Sequence, residues 1–359
     1  MEKVRIGIIG CGDIAKFMHM PAWKQIKNVE MTAFCSRNEA RVEYARSEFG
    51  SDSAKVYADY RKLLEDSDVD VVDICTPNHT HAEMAIDAME AGKHVLVEKP
   101  MAITYEDAKR MADVSERTGK ILSVNYQNRF RPDSLYLKNV CINGGLGEIY
   151  YAKAHALRRR AIPTWGLFLN KEAQGGGPLI DIGTHALDLT LWMMDNYSPK
   201  MVVGSTYKKL ADRPDAANAW GPWNPSEYEV EDSSFGYIVM QNGATIVLES
   251  SWALNTLDVG EAKTTLCGTI AGADMSDGLR INGVKNDRFY TEKPDFGIVG
   301  KNFYNGEKYT ADVVECMSFI DTITNGTPLV IKAAQAAVVT RVLEAIYISS
   351  ATGKPVYFE

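Results

Sequence analysis

Val4-Arg5-Ile6-Gly7-Ile8-Ile9-Gly10-Cys11-Gly12-Asp13-Ile14-Ala15 is the stretch that decides the fold. Its apolar run reads as a buried strand, and the run leads without a break into G-x-G-x-x-A. In that pattern Gly10 permits a tight turn, and Gly12 lets the backbone approach a pyrophosphate. Ala15 is small enough for close packing of helix on strand. A helix opening near Asp13 then presents free N–H groups, including those at Asp13 and Ile14, to an anion. The pattern is weak alone. Its position after the first strand and before a helix is the context that gives it meaning.

The same rhythm continues outward. Met31 to Cys35 is followed by helical spacing from Asn38 to Phe49, then a weaker strand near Val56 and a helix from about Asp59 to Glu65. Val69 to Cys75, a helix near His81 to Ala91, His94 to Val97, the helix Thr104 to Thr118 and Ile121 to Val124 complete the series. Strand alternating with helix predicts a parallel sheet with right-handed crossovers, covered on both faces. Residues 1–125 are therefore expected to form a doubly wound dinucleotide-binding domain of the α/β class.

After Asn125 the pattern changes to β-rich runs at Glu148 to Ala156, Met201 to Tyr207, Ser233 to Met240, Ala244 to Trp252 and Lys263 to Cys267. Asn242-Gly243 between two alternating runs signals a hairpin. Residues 126–359 are expected to form an α+β domain with a mostly antiparallel sheet and helices at Thr184 to Met194, Ala311 to Thr324 and Ala333 to Ile348. The last helix is a candidate to pack back on the first domain, which leaves the boundary approximate.

Composition narrows the partners. The 359 residues are 45% hydrophobic and 24% charged, ordinary for a globular chain. The 39 basic and 47 acidic groups give a formal charge of -8 with the signs mixed along the chain, which argues against a nucleic-acid partner. No stretch approaches the roughly 18 apolar residues of a membrane span, and the first apolar run ends at Asp13, short of a signal-peptide core. The chain reads as cytoplasmic. Cysteines at 11, 35, 75, 141, 267 and 316 show neither zinc spacing nor a disulfide framework, and are read as reduced thiols.

Several polar groups fall at the carboxyl edge of the predicted parallel sheet, where such sheets bind ligands. Glu30 has the sequence distance of a ribose-binding acid, but it starts the second strand and so lies roughly 20 Å from the ligand edge. That edge presents Ser36-Arg37, and a guanidinium there suits a 2′-phosphate, which leans the cofactor toward NADP. Thr76-Pro77-Asn78-His79-Thr80-His81 follows the fourth strand. His79 and His81 lack partner ligands, so a loop or helix-start role is favoured over metal. Glu98-Lys99-Pro100 follows His94 to Val97, and Pro100 restricts Lys99 to extended geometry. Lys99 is read either as a fixed catalytic group or as half of a solvated ion pair.

Gly175-Gly176-Gly177-Pro178-Leu179-Ile180-Asp181-Ile182-Gly183-Thr184-His185-Ala186-Leu187-Asp188 is the densest constellation. On a helix beginning near Asp181, the residues Asp181, His185 and Asp188 share one face. A carboxylate one turn from an imidazole orients it and tunes its proton affinity.

Taken together, the chain resembles the Gfo/Idh/MocA family, which includes glucose-fructose oxidoreductase and inositol dehydrogenase. The resemblance rests on Gly10-x-Gly12-x-x-Ala15, Thr76-Pro77-Asn78-x-x-His81, Ala91-Gly92-Lys93-His94-Val95 into Glu98-Lys99-Pro100, and Gly176-Gly177 through Asp181-x-Gly183-x-His185-x-x-Asp188. It implies a Rossmann domain with an open-faced sheet domain, and a homodimer or homotetramer formed through that sheet. It also implies Lys99, Asp181 and His185 as the catalytic set. The expected cofactor is NAD(P), bound by Gly10, Gly12, Asp13, Ile14, Ser36, Arg37, Thr76, Pro77, Asn78, His81, Glu98, Lys99 and Asn125, with no metal. Ser36, where an acid would be expected, departs from the NAD preference of the inositol enzymes.

The expected reaction is hydride transfer between nicotinamide and a hydroxyl of a sugar, polyol or inositol-like substrate, with His185 taking the proton and Lys99 stabilising the alkoxide. Substrate contacts are expected from Lys99, Asp181 and His185 together with Arg129, Arg158 and Trp165; Arg160 is a further candidate. Two rivals stand beside this reading. One is an NAD-dependent glycoside hydrolase that oxidises a sugar carbon transiently, and the other is a non-catalytic dinucleotide sensor.

Overall fold

Six strands, β1 (Val4–Ile9), β2 (Val29–Cys35), β3 (Gly50–Tyr57), β4 (Val71–Ile74), β5 (His94–Val97) and β6 (Leu122–Val124), form a parallel sheet in a computed structural model describing residues 3–213, 217–296 and 309–358. Their order is β3-β2-β1-β4-β5-β6. The winding direction therefore reverses between β1 and β4, which opens a crevice outside their carboxyl ends. β4 is buried throughout and β5 nearly so, as runs of Val, Leu and Ile covered on both faces must be.

The helix after the glycine turn departs from simple α geometry. It makes a wide π turn over Ala15–His19 before continuing as an α-helix over Met20–Lys24. The wide turn sets His19 inward, and Trp23 follows it into the core. Val313, Cys316, Phe319 and Ile320, from the helix Ala311–Asn325, belong to this same core.

The second sheet contains β7 (Ile149–Leu157), β8 (Pro199–Tyr207), β9 (Ser233–Met240), β10 (Thr245–Ser251), β11 (Gly260–Gly268), β12 (Ala271–Asp274), β13 (Arg280–Lys285), β14 (Arg288–Glu292) and β15 (Val356–Tyr357). Its order is β14-β13-β12-β11-β7-β10-β9-β8-β15. Neighbours run antiparallel except β7 and β10, which are parallel from Tyr151 opposite Thr245 to Leu157 opposite Ser251. Gly243 takes φ +88° in the β9–β10 hairpin, as the Asn-Gly signal requires.

Period-two alternation gives this sheet two unlike faces. Val202, Ile238, Ile246, Leu248, Ala152 and Ala154 are buried, whereas Val203, Tyr207 and Tyr237 are exposed. On the buried side the C-terminal helix presses close enough that a Cβ on Gly204 or Gly236 would stand 2.6 Å from Ile346.

The chain divides into two compact units, Met1–Gln127 with Lys308–Ala337, and Asn128–Glu307 with Val338–Glu359. An unbroken second domain over 126–359 is thereby corrected: the helix Ala311–Asn325 carries an apolar face that completes the first core.

Candidate active site

In the first unit the crevice is built on two glycines with different duties. Gly10 sits at φ +96°, and a Cβ there would lie 2.6 Å from the Cys75 carbonyl oxygen, so only glycine fits. A Cβ on Gly12 would meet nothing nearer than the Arg41 guanidinium at 3.9 Å, leaving the backbone open to a ligand. A cavity of about 540 Å³ adjoins them, lined by the expected Gly10, Gly12, Ser36, Arg37, Thr76 and Pro77. Such a cradle at the switch point suits a dinucleotide phosphate. Asp13 and Ile14 are exposed at the start of the helix, and Asn78 begins a short 3₁₀ turn beside the cavity.

The wall also carries Asn38, Arg41, Asp59 and Tyr60, which the sequence reading missed. Asn38 caps the helix Glu39–Phe49 by accepting the Arg41 N–H at 3.0 Å, which fixes Arg41 in the first turn of that helix, on the cavity that Arg37 also lines. No acid pairs with Arg37 or Arg41 among the described residues. Glu30 pairs with Lys3 at 3.2 Å, at the far end of β2. The carboxylate on the cavity wall belongs instead to Asp59, which accepts the Arg61 N–H at 3.0 Å. Burial pushes the Cys11 and Cys35 thiols up to about 12 and about 11, so both stay protonated near neutral pH.

Three of the residues expected at the cofactor are held by contacts within the protein. His81 is fully buried, with Nδ1 at 2.9 Å from the Pro100 carbonyl and Nε2 at 2.9 Å from that of Thr76. It ties the loop after β4 to the loop after β5, and burial lowers its proton affinity. Glu98 accepts from Asn125 Nδ2 at 2.6 Å and from the Lys99 backbone N–H at 3.1 Å, and lies 2.7 Å from His19 Nε2. Glu98 and Asn125 thus bond to each other at the base of the crevice. Lys99 is half-buried at the end of β5, and its bond to Pro100 is cis.

In the second unit, Asp181 lies within a π turn over Leu179–Gly183, and the α-helix begins at Thr184. The wide turn sets Asp181 before the regular helix, while His185 and Asp188, one turn apart on the α-helix, meet the adjacent residues Asn128 and Arg129. Asp188 is buried in a bidentate pair with Arg129 at 2.6 and 2.9 Å. Arg129 has no exposed surface and gives way as a substrate contact for that reason.

Asp181 Oδ2 accepts the Trp252 indole N–H at 2.9 Å and lies 3.8 Å from Arg158. Arg158 is clamped by Glu261 at 2.6 and 2.7 Å and stacks over Trp220 at 5.0 Å. Arg160 bonds to Asn255 at 2.6 Å. Trp165 is 44% exposed and meets Trp220 edge to face at 4.9 Å, and Phe168 links Trp165 to Trp252. An aromatic wall therefore ends on the Asp181 carboxylate. Trp220 and Trp252 gave no sequence signal because they lie far along the chain from Asp181.

His185 is half-buried. Asn128 Nδ2 lies 3.2 Å from its Nδ1, while Asn128 Oδ1 accepts from Arg131 at 3.2 Å. With its oxygen held by Arg131, the amide can only donate to the ring, so a neutral His185 carries its proton on Nε2.

The glycine run has its own clamp. Glu231 accepts the Gly177 N–H at 3.0 Å and the Leu179 N–H at 3.2 Å, and Tyr347 donates its hydroxyl to Glu231 at 2.8 Å. A Cβ on Gly176 would overlap the Tyr347 hydroxyl oxygen. The glycines here admit a buried tyrosine.

Residues 4–126 match the family described as "Oxidoreductase family, NAD-binding Rossmann fold", and residues 135–273 match the "GFO/IDH/MocA C-terminal domain". Over 352 residues the chain is 33% identical to D-glucoside 3-dehydrogenase of Escherichia coli K12, covering 98% of this chain and 97% of that one. It is 30% identical over 274 residues to levoglucosan dehydrogenase of Pseudarthrobacter phenanthrenivorans, covering 70% and 68% of the two chains. A solved structure of levoglucosan dehydrogenase with NADH and levoglucosan superposes with a TM-score of 0.80 at 24% identity, over 99% of each chain.

Proposed function

Because the chain belongs to the Gfo/Idh/MocA family of NAD-binding oxidoreductases, we propose that it oxidises a secondary hydroxyl of a sugar or glycoside. The observation that carries the sugar reading is the wall from Trp165 through Phe168 to Trp252, ending on Asp181. Aromatic faces beside a fixed carboxylate suit a pyranose, whose C–H face packs on rings while its hydroxyls seek acceptors. The names of the two relatives support the same class.

In this reading Lys99, Asp181 and His185 act on the substrate. Bound NAD(P) supplies the two-electron acceptor. His185 holds the reacting oxygen as a donor through Nε2, and Lys99, acting as the neutral amine, receives the hydroxyl proton to become the ammonium as the C–H hydride departs and the carbon becomes a ketone. The Asn128 contact at Nδ1 supports this division of roles, the reverse of the one expected from sequence. Asp181, oriented by Trp252, accepts a neighbouring hydroxyl.

For the cofactor, unpaired Arg37 and Arg41 support acceptance of a 2′-phosphate, and Asp59 offers a ribose acceptor for NAD. NADP is the proposed preference. The exposed Val203, Tyr207 and Tyr237 support self-association through the open sheet face into a dimer or tetramer. Among the described residues no helix is long and apolar enough to cross a membrane, and a cytoplasmic location is proposed.

The test is a panel of glucosides, anhydrosugars, free sugars, polyols and inositols followed at the nicotinamide absorbance, with NAD and NADP in separate arms. Accumulating reduced cofactor on a sugar or glycoside is the expected result. Release of aglycone without net reduction would replace the dehydrogenase with a hydrolase, and cofactor binding without turnover on any compound would leave a sensor.

A further inference from the structure

Beneath the crevice of the first unit lies a polar cluster that the proposed chemistry does not use. His19 is 3% exposed and stands between two carboxylates. Its Nδ1 is 2.9 Å from Asp73 Oδ2, and its Nε2 is 2.7 Å from Glu98 Oε1. Both acids hold other donors: the Trp23 indole N–H reaches Asp73 at 2.6 Å, and Asn125 and the Lys99 backbone N–H reach Glu98 at 2.6 and 3.1 Å. Carboxylates so loaded with donors favour the ionised form. A neutral imidazole has one N–H; protonated on Nδ1, its bare Nε2 would have the Asn125 amide at 2.9 Å as a donor but would also face the Glu98 carboxylate at 2.7 Å. A doubly protonated ring satisfies both contacts.

We propose that His19 is a positioning residue for Lys99. As a buried imidazolium it pins Glu98, and Glu98, by accepting the Lys99 backbone N–H, fixes the end of β5 from which Lys99 acts. This rests on the reading of Lys99 as a group that meets substrate. Asp73 and Trp23 hold the opposite side of the ring, so the imidazole cannot swing away from Glu98.

The charges around the ring agree with this. The ring faces Asp73 and Cys75 from β4 and the residue after it, Glu98 from the end of β5, and Asp312 and Glu315 from the helix Ala311–Asn325. Burial opposes the cationic form, but Asp73 overrides it and holds His19 well above its ordinary value. Burial likewise opposes a charged Glu98, and the bond and charge of His19 bring it down to about 2. His19, Asp73 and Cys75 bring their polar atoms within 4.8 Å of one another, and the two carboxylate contacts of the ring account for that clustering with both ring nitrogens satisfied.

The experiment compares His19→Gln and Glu98→Gln with the unmodified enzyme, each with its reducing cofactor, and adds ¹⁵N NMR of the histidine rings in the unmodified enzyme. The expected NMR result is a His19 ring with both nitrogens protonated from pH 6 to 9. For the variants the expected result is kcat lowered by about ten- to a hundredfold, with sugar KM and cofactor Kd within about twofold and the pH profile of kcat displaced. A neutral His19 ring at pH 7, or a folded His19→Gln enzyme with unchanged kcat and pH profile, overturns the proposal. If Lys99→Ala itself retains turnover, the premise about Lys99 fails instead, and the ring titration still reports the charge of His19.

Discussion

Arg129 and Asp188 form a two-pronged ion pair with 0% and 1% of their side chains exposed. The pair anchors the turn after Gln127 to the helix Thr184–Met194, on the chain segment that also bears Asn128. Removing one partner strands the other charge in the core. Arg129→Met is expected to lower unfolding free energy by about 3–5 kcal/mol. Arg129→Met with Asp188→Leu is expected to recover most of that loss, and urea denaturation of both variants measures it.

Tyr347 is the keystone of a second buried link. Without its hydroxyl, Glu231 keeps the two backbone N–H groups but loses its side-chain donor. Tyr347→Phe is expected to cost about 1–3 kcal/mol. It is also expected to reduce kcat by loosening the turn that carries Asp181. A variant with unchanged melting temperature and unchanged kcat would deny the clamp both roles.

Glu315 gives a signed pH dependence. Burial, reinforced by the like charges of Asp312 and Glu98, holds its carboxyl well above the ordinary value of 4.5. The folded chain therefore retains a proton that the unfolded chain releases above about 4.5, and this contribution to stability is full below that pH and fades as pH rises toward the folded value. Glu315→Gln is expected to match the unmodified protein near pH 4.5 and to exceed it in stability at pH 8. Melting curves at the two pH values test the sign.

Trp252→Phe preserves the aromatic wall while deleting the N–H that orients Asp181. A fall of about tenfold in kcat/KM toward the preferred sugar, with cofactor affinity unchanged, is the expected outcome of a disordered acceptor. Initial rates at varied sugar concentration decide it.

Arg37 and Arg41 bear on cofactor choice. Arg37→Ala with Arg41→Ala is expected to reduce kcat/KM for NADP by about ten- to a hundredfold while changing that for NAD by less than about threefold. Equal losses with both cofactors would show that the guanidiniums do not read the 2′ position.

Local patterns were legible in the sequence, and distant pairings were not. The Gly10–Ala15 turn, the strand–helix rhythm and the Asn242-Gly243 hairpin are set by neighbours along the chain, so spacing reveals them. The helix Thr184–Met194 was readable in the same way. Asp181, however, is oriented by Trp252, and His19 is held by acids from β4 and from the loop after β5. Such contacts leave no period. The short strands Ala271–Asp274 and Arg288–Glu292 were also missed, because charged and small residues at a sheet margin lack the alternation of a half-buried strand. The π turn that carries Asp181 was likewise invisible, because the spacing of Asp181, His185 and Asp188 reads as continuous α-helix.

The placement of β7 imposes an order on biosynthesis. Its two neighbours, β10 and β11, are encoded about a hundred residues downstream, so as the polypeptide leaves the ribosome this strand emerges with both edges bare and stays so until they follow. At elongation rates of about 5–20 residues per second, that interval is several seconds of exposure. The nascent protein is accordingly a natural client for holding chaperones, and slowing translation between codons 158 and 245 should raise its aggregation without altering the finished enzyme.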